Sequence, residues 1–265
     1  MRVHTERRTD RPNPTHSRAF RAAAENTGGA GGFHEGLKRA TEAGFDWIWL
    51  MDDDLVAAPE ALEALVRKKE ALAPVHGRRL LLNSLVLSKD RKDGDTLAFP
   101  LQELSEKGQP RIKVYHWRLS EVRHLIEDGL YRWACPFNGT FISSEVVAGI
   151  GLPNKDFYIK GDEKDFLWRA ARKVPLFTVV DSRVFHPEPR PGVFDWKQYY
   201  GIRNMFVINR YFSFTRLRNL RLIVRSLAMG LRHGRRGTWL VLRAIRDGLT
   251  GRLGRRDDVR TWLNG

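Results

Sequence analysis

Between residues 45 and 186 the chain alternates short, largely apolar runs with segments of helical period. FDWIWLM (45–51), RLLLNSLVL (79–87) and a run ending in His186 before Pro187 have the length and continuity of buried strands. ENTGGAGGFHEGLKRATEAG predicts a helix from about Phe33 to Ala43, entered through a glycine-rich turn and stopped by Gly44. PEALEALVRKKEAL predicts a second helix with Pro59 in its first turn. RWACPFNGTFISSEVVAGIGLP predicts a strand and then a short helix capped by Ser144. FYIKGDEKDFLWR reads as a strand, an acidic turn and a helix, and DWKQYYGIRNMFVINRYF as a helix. AFRAAA (19–24) has the makings of a short strand, while residues 90–130 show no steady period and predict an irregular excursion with one or two short strands. Alternating strands and helices imply an α/β fold with a mostly parallel sheet flanked by helices. The expected division is an irregular N-terminal segment (1–17), an α/β domain (18–212) and an arginine-rich helical tail (213–265).

The tail changes the charge picture. From Leu217 the apolar positions Leu220, Val224, Leu227 and Leu231 keep helical spacing, and Arg218, Arg221, Arg225 and Arg232 mark another face; TWLVLRAIRDGL repeats the habit. The net charge is +15, of which residues 201–265 supply +12 through 15 arginines against Asp247, Asp257 and Asp258. The basicity therefore belongs to the tail. Two readings of it stand: docking on an anionic membrane surface, or packing of its apolar sides on the rest of the chain or on a partner subunit. No nucleic acid is expected, because no recognisable module and no interleaving of aromatic with basic residues accompanies the charge. Cys135 is the only cysteine, which rules out an internal disulfide and suits a reducing compartment. No window approaches the roughly 20 apolar residues of a membrane span. The expected location is cytoplasmic, peripheral on the inner face of the cell membrane.

Three polar clusters fall where predicted strands end, which is where α/β sheets gather ligands. The first is Asp52, Asp53 and Asp54, directly after WIWLM. Three adjacent carboxylates repel one another, so a divalent cation, a basic side chain or open solvent must offset them, and a solvated turn capping the next helix is the plain alternative. The second is Gly161-Asp162-Glu163-Lys164-Asp165, whose acids also suit a helix N-terminus. His186 is the third, and a loop histidine before proline is its plain alternative. Carboxylates and an imidazole after separate strands could ligate one Mn²⁺ or Mg²⁺ and leave a carboxylate for proton transfer. Gly28, Gly29, Gly31 and Gly32 open a helix and could let backbone N–H groups approach a phosphate or sugar, although neither a Walker loop nor GxGxxG spacing is present.

ENTGGAGGFHEGL, WIWLMDDDLVAAPEAL, FNGTFISSEVVAGIGLP, FYIKGDEKDFLWR and KQYYGIRN, in that order, resemble the inverting family 2 glycosyltransferases of the GT-A fold. The likeness is closest to the actinobacterial galactofuranosyltransferases and their rhamnosyltransferase relatives, and runs from about Glu25 to Asn204. It implies that Asp52 and Asp54 are the outer carboxylates of a DxD-type motif holding Mn²⁺ or Mg²⁺ at the diphosphate of a nucleotide-sugar donor, with His186 as a further metal ligand. It also implies that Asp53 touches the donor and that Gly28, Gly29, Gly31, Gly32 and Phe33 line the donor side. Glu163 takes the position of the catalytic base, with Asp162 beside it at the acceptor or sugar, and Trp133, Asn138 and Asp165 fall on the acceptor side. The implied partners are a nucleotide-sugar donor and a lipid-linked glycan acceptor. The family's two N-terminal nucleotide-binding strands are not recognisable here, so the resemblance implies an N-terminally truncated domain.

The implied function is metal-dependent transfer of galactofuranose from UDP-galactofuranose to a lipid-linked cell-wall glycan. The alternatives are rhamnosyl transfer from dTDP-rhamnose, an inactive truncated remnant, and a nucleic-acid- or membrane-binding protein acting through the basic tail.

Overall fold

The computed structural model describes residues 2–6, 26–105, 110–134, 137–188 and 194–259; for 2–6, 104 and 110–114 the backbone alone is described. The chain forms two compact units. The sheet unit comprises Met1–Ala22, Glu35–Leu152 and Arg169–Pro189, and the helical unit Ala23–His34, Pro153–Trp168 and Arg190–Gly265. In chain order the elements are β1 (Arg2–Glu6), α1 (Gly28–Glu42), β2 (Trp47–Met51), β3 (Val56–Ala57), α2 (Ala61–His76), β4 (Leu81–Ser88), β5 (Thr96–Leu104), β6 (Pro110–Arg118) and α3 (Leu119–Val122). They continue with β7 (Ile126–Glu127), β8 (Leu130–Tyr131), β9 (Thr140–Ser143), α4 (Ser144–Ile150), α5 (Asp162–Ala171), β10 (Leu176–His186), α6 (Lys197–Ile208), α7 (Thr215–Arg232) and α8 (Gly234–Leu249). The segment AFRAAA lies outside the described residues. Arg2–Glu6, inside the stretch expected to be irregular, is a strand antiparallel to β2; its pairing uses backbone groups, which polar side chains do not prevent.

All the described strands belong to the sheet unit, in the order β1-β2-β9-β4-β10-β8-β7, with β3 on β10 and the β5–β6 ribbon attached through β4. The α/β class holds, but the sheet is mostly antiparallel and not mostly parallel. Among the described residues only β4 and β10 pair in parallel, Leu81 opposite Leu176 through Ser88 opposite His186. The reversal comes from β9, which inserts between β2 and β4 and runs antiparallel to both. Strands β2, β4 and β10 therefore still point the same way, and their carboxyl ends share one edge of the sheet. Hydrophobic continuity shows that a strand is buried on both faces and does not show which neighbour it takes or in which direction.

Burial of β2 and β4 is complete along their lengths. Trp47, Trp49, Leu65, Leu82, Phe141 and Val184 form the heart of the core between the sheet and α2. Trp47 stacks on Phe141 at 4.9 Å, a pairing worth about 0.5–1.5 kcal/mol beyond burial. Helix α2 begins at Ala61 behind the N-cap Glu60, so Pro59 precedes the helix and does not lie in its first turn as expected, and Pro74 is accommodated near its end. Residues 90–130 are more regular than expected, since β5 and β6 are nine residues each. Their register shifts break the alternation that would have revealed them. Helix α4 is capped by Ser143, not Ser144: the Ser143 hydroxyl accepts the Val146 N–H at 3.2 Å.

In the helical unit α6, α7 and α8 pack around Tyr199, Tyr200, Phe206, Leu240, Val241 and Ala244. Phe157-Tyr158-Ile159 is not a strand: a 3-10 turn covers Lys155–Phe157, and positive φ at Tyr158 (65°) and Lys160 (63°) breaks extension. The apolar side of α8 is built into this core, so the second tail segment is a packed helix. Leu227 of α7 also packs on the core, apart from Leu220, Val224 and Leu231, which are exposed. None of the described helices is long and apolar enough to cross a membrane.

Candidate functional site

Asp52 follows the last residue of β2, and His186 is the last residue of β10. The loop that follows β2 is pinned by β3, where Val56 pairs with Phe185 and Ala57 with Val184. That short pairing brings the aspartates to the histidine: His186 Nε2 lies 3.1 Å from Asp54 Oδ1 and 3.9 Å from Asp52 Oδ2. One ligand atom from each of the three side chains falls within 4.8 Å of the others. The plain reading of the triplet as a cap for the next helix fails, because α2 begins at Ala61 and its N-cap is Glu60. Asp53, between the two ligand candidates, is exposed.

Two features prepare this cluster for a cation. His186 Nδ1 meets the Pro187 carbonyl at 2.6 Å, and its ring lies 4.8 Å from that of Phe99. With Nδ1 donating to the carbonyl, Nε2 is the ring nitrogen left facing the carboxylates, and it is the atom a metal ion would take as ligand in place of a proton. Burial pushes the Asp52 carboxyl above its ordinary range and the neighbouring Asp54 and Asp53 push the same way, against the pull of His186 and of an Asn138 hydrogen bond. Negative charge is thus incompletely offset by protein groups. Two carboxylates and an imidazole form a donor set suited to Mn²⁺ or Mg²⁺, so the residues fit a divalent ion.

Asn138 is held from below by a buried polar network that sequence reading missed. The Asn83 amide donates to the Asn138 carbonyl at 3.3 Å, the Thr140 hydroxyl donates to Asn83 Oδ1 at 2.6 Å, and Ser84 N–H donates to the Gly139 carbonyl at 2.9 Å. Gly139 sits at φ +88°, and a Cβ there would lie 2.6 Å from the Ser84 Cβ, so only glycine lets the β9 entrance approach β4 this closely. Asn138 is 5% exposed, yet its Oδ1 has no hydrogen-bond partner among the described residues. Trp133 is buried, with its carbonyl accepting the Thr178 hydroxyl at 2.7 Å. The available signal was polarity: Asn83, Ser84 and Thr140 interrupt runs that are otherwise apolar.

In the helical unit, Asp162, Glu163 and Asp165 occupy the first turn of α5. Glu163 Oε2 accepts the Gly161 N–H at 2.8 Å, so one carboxylate oxygen stabilises its own helix start. Asp162 and Asp165 are each 5% exposed, and Asp165 Oδ1 accepts the Tyr211 hydroxyl at 2.5 Å. The turn leading into α5 is clamped by two α6 residues that carried no assigned role. Asn204 Nδ2 donates to the carbonyls of Phe157, Ile159 and Lys160, and the fully buried Arg203 donates to those of Asp156, Phe157 and Gly254. Three left-handed residues, Tyr158, Lys160 and Gly161, are held in place this way.

The glycine-rich run is the first turn of α1 itself and not a loop before it. A Cβ on Gly28 would lie 2.0 Å from the Tyr158 carbonyl oxygen, and one on Gly31 would meet the Thr27 side chain. The Ala30 N–H donates to that same Tyr158 oxygen at 3.2 Å. Packing thus accounts for Gly28 and Gly31, whereas Gly29 and Gly32 face open space. Phe33 is buried.

Residues 17–119 match the family model described as glycosyl transferase family 2. Galactofuranosyltransferase GlfT1 of Mycobacterium tuberculosis is 33% identical over 173 residues, covering 63% of this chain and 51% of that protein. Galactofuranosyltransferase GlfT1 of Mycolicibacterium smegmatis is 30% identical over 185 residues, covering 68% and 55%. The chain spans about half the length of the curated relatives it matches. The crystal structure of GalNAc-T7 with UDP, GalNAc and Mn²⁺ superposes with a TM-score of 0.47 at 15% identity, covering 71% of this chain and 35% of that one, a likeness too slight to carry an argument.

Proposed function

We propose that this chain, which belongs to glycosyltransferase family 2, is an inverting, metal-dependent enzyme that moves galactofuranose from UDP-galactofuranose to a lipid-linked cell-wall glycan. Its α/β sheet flanked by helices is read as a GT-A fold, working in the cytoplasm at the inner face of the cell membrane. The observation that carries the reading is the convergence of Asp52, Asp54 and His186 at the carboxyl ends of β2 and β10. The names of the relatives support the choice of sugar.

In this reading Asp52, Asp54 and His186 hold Mn²⁺ or Mg²⁺, which when bound supplies Lewis-acid neutralisation of the departing diphosphate. Glu163 accepts the proton of the acceptor hydroxyl as that oxygen forms its bond to the anomeric carbon, and the bond to the diphosphate oxygen breaks with its electron pair going to UDP. A positioned base of this kind contributes about 10²–10⁴ in rate. A single displacement inverts the anomeric centre. Asp53, Gly29, Gly32 and Phe33 are assigned to the donor, and Asp162, Trp133 and Asp165 to the acceptor side. Asn138 joins them because its buried, unpartnered amide oxygen is a group that a sugar hydroxyl would satisfy.

The test is mass-spectrometric detection of transfer to a short lipid-linked galactan mimic with Mn²⁺, offering UDP-galactofuranose and dTDP-rhamnose in separate reactions. Transfer from UDP-galactofuranose alone, lost in Glu163→Gln while donor binding persists, is the expected result. Transfer from dTDP-rhamnose alone would replace the donor assignment, and full turnover by Glu163→Gln would remove the base.

A further inference from the structure

Helix α7 carries apolar side chains that the fold does not use. Leu217, Leu220, Val224 and Leu231 are 53–68% exposed. At about 100° per residue they fall within about 60° of arc, on the side opposite the buried Ser226 and Gly230. The turn before the helix adds Phe214, 79% exposed and in the left-handed region at φ +59°. A bulky residue rarely adopts that conformation, and here its ring is turned to solvent.

The flank of this stripe is basic. Arg218, Arg221, Arg225 and Arg232 span the adjoining arc, and Arg216 lies on the other side. From Ser213 to Thr250 the sequence contains one acid, Asp247, and its side chain is fully buried among Tyr199, Arg243, Arg246 and Arg256. The exposed surface of α7 is therefore apolar and cationic, and the helix itself carries no carboxylate to repel an anion, whereas on α8 Arg243 is paired with Asp258 at 2.8 Å. A depression on α7 is lined by Arg225, Ser226, Ala228, Met229 and Arg232; the two planar guanidiniums in its lining suit a phosphodiester.

We propose that α7, with Phe214 at its leading end, is the element that seats this protein on an anionic lipid surface, its leucine stripe entering the headgroup boundary and its arginines meeting lipid phosphates. The uncompensated positive charge selects a lipid surface over a second copy of the chain, which would bring equally basic faces together. α8 serves as the scaffold, since its apolar side is already buried. The proposal rests on the glycosyltransferase reading only for its purpose, which is to hold the enzyme beside a lipid-linked acceptor.

The experiment is co-sedimentation of the full chain with phosphatidylcholine vesicles, alone or mixed with phosphatidylglycerol. It involves no sugar transfer, so it fails separately from the enzyme assay. Strong binding to the mixed vesicles alone is expected, weakened about tenfold or more by Leu220→Asp with Val224→Asp, and by Arg221→Gln with Arg225→Gln. All four positions are exposed, so circular dichroism and melting should match the wild type. Wild-type protein that stays in the supernatant, or double variants that bind as tightly as it does, would overturn the proposal. So would a concentration-dependent dimer that Leu220→Asp dissociates, which would assign the stripe to a second copy.

Discussion

His186 Nε2 stands 3.1 Å from Asp54 Oδ1, and the residue before the histidine, Phe185, pairs with Val56, two positions beyond that aspartate. Residues 132 apart in sequence are thus joined by a two-residue strand, and the donor set they complete is a product of that pairing.

Removing a ligand should separate ion binding from folding. Asp54→Ala and His186→Ala are expected to weaken Mn²⁺ at least tenfold, measured as free ion by electron paramagnetic resonance. The rise in melting temperature that Mn²⁺ gives the wild type should vanish in both. Unchanged affinity in either variant would remove that residue from the site.

Gly139→Ala probes the network beneath Asn138. The new methyl would press on Ser84 at a backbone conformation with φ +88°, so a loss of about 1–3 kcal/mol is expected in urea denaturation. Ala at Gly29, where no atom lies within 4 Å, is the matched control and should leave stability nearly unchanged.

Asn204 is a positioning residue, acting through the turn that leads to Asp162 and Glu163. Asn204→Ala leaves three carbonyls without its amide. If the proposed base is correct, kcat should fall about tenfold or more with the donor KM much less affected. Asn204→Asp, which keeps the shape but removes the donor, should behave like the alanine variant; wild-type kinetics in either would show that the clamp is dispensable.

Asp247 governs how the helical unit responds to acid. Burial pushes its pKa up, but the Tyr199 hydroxyl, Arg246 and Arg256 outweigh burial and hold the carboxyl below the ordinary 3.8; burial and this aspartate in turn push Tyr199 to about 12. A folded pKa below the unfolded one means that the stabilisation is fully present above about pH 4 and is lost as pH falls through the lowered value. Asp247→Asn should therefore cost about 3 kcal/mol at neutral pH, by leaving arginines without their buried partner. The gap from the wild type should narrow in acid denaturation below pH 4, and a gap independent of pH would exclude the ionised carboxylate as its source.

Much of the site could be read from one dimension. WIWLM ending in three aspartates, and an apolar run ending in His186, marked strand ends where charge has no folding purpose, and those residues do meet. The supporting groups were less legible. Asn83 lies 55 positions from Asn138 and 57 from Thr140, and nothing in their local sequence tells a buried hydrogen-bonded network from surface polarity. Arg203 and Asn204 sat inside a helix read correctly as a helix, but their targets are carbonyls more than 40 residues away.

By itself the sequence determined which segments are apolar enough to be buried, that helices stop at Gly44 and Gly151, and which residue types are unusual at strand ends, because those follow from local period and side-chain chemistry. Tertiary structure decided the rest. It inserted β9 between β2 and β4 and turned an expected parallel sheet mostly antiparallel. It buried Leu240, Val241, Ala244 and Ile245 of α8 and packed Leu227 of α7 on the same core while leaving Leu220, Val224 and Leu231 of α7 exposed, although the two helices carry the same kind of pattern. Both outcomes depend on which surfaces meet, and a hydrophobic period specifies that a face will be covered without specifying by what.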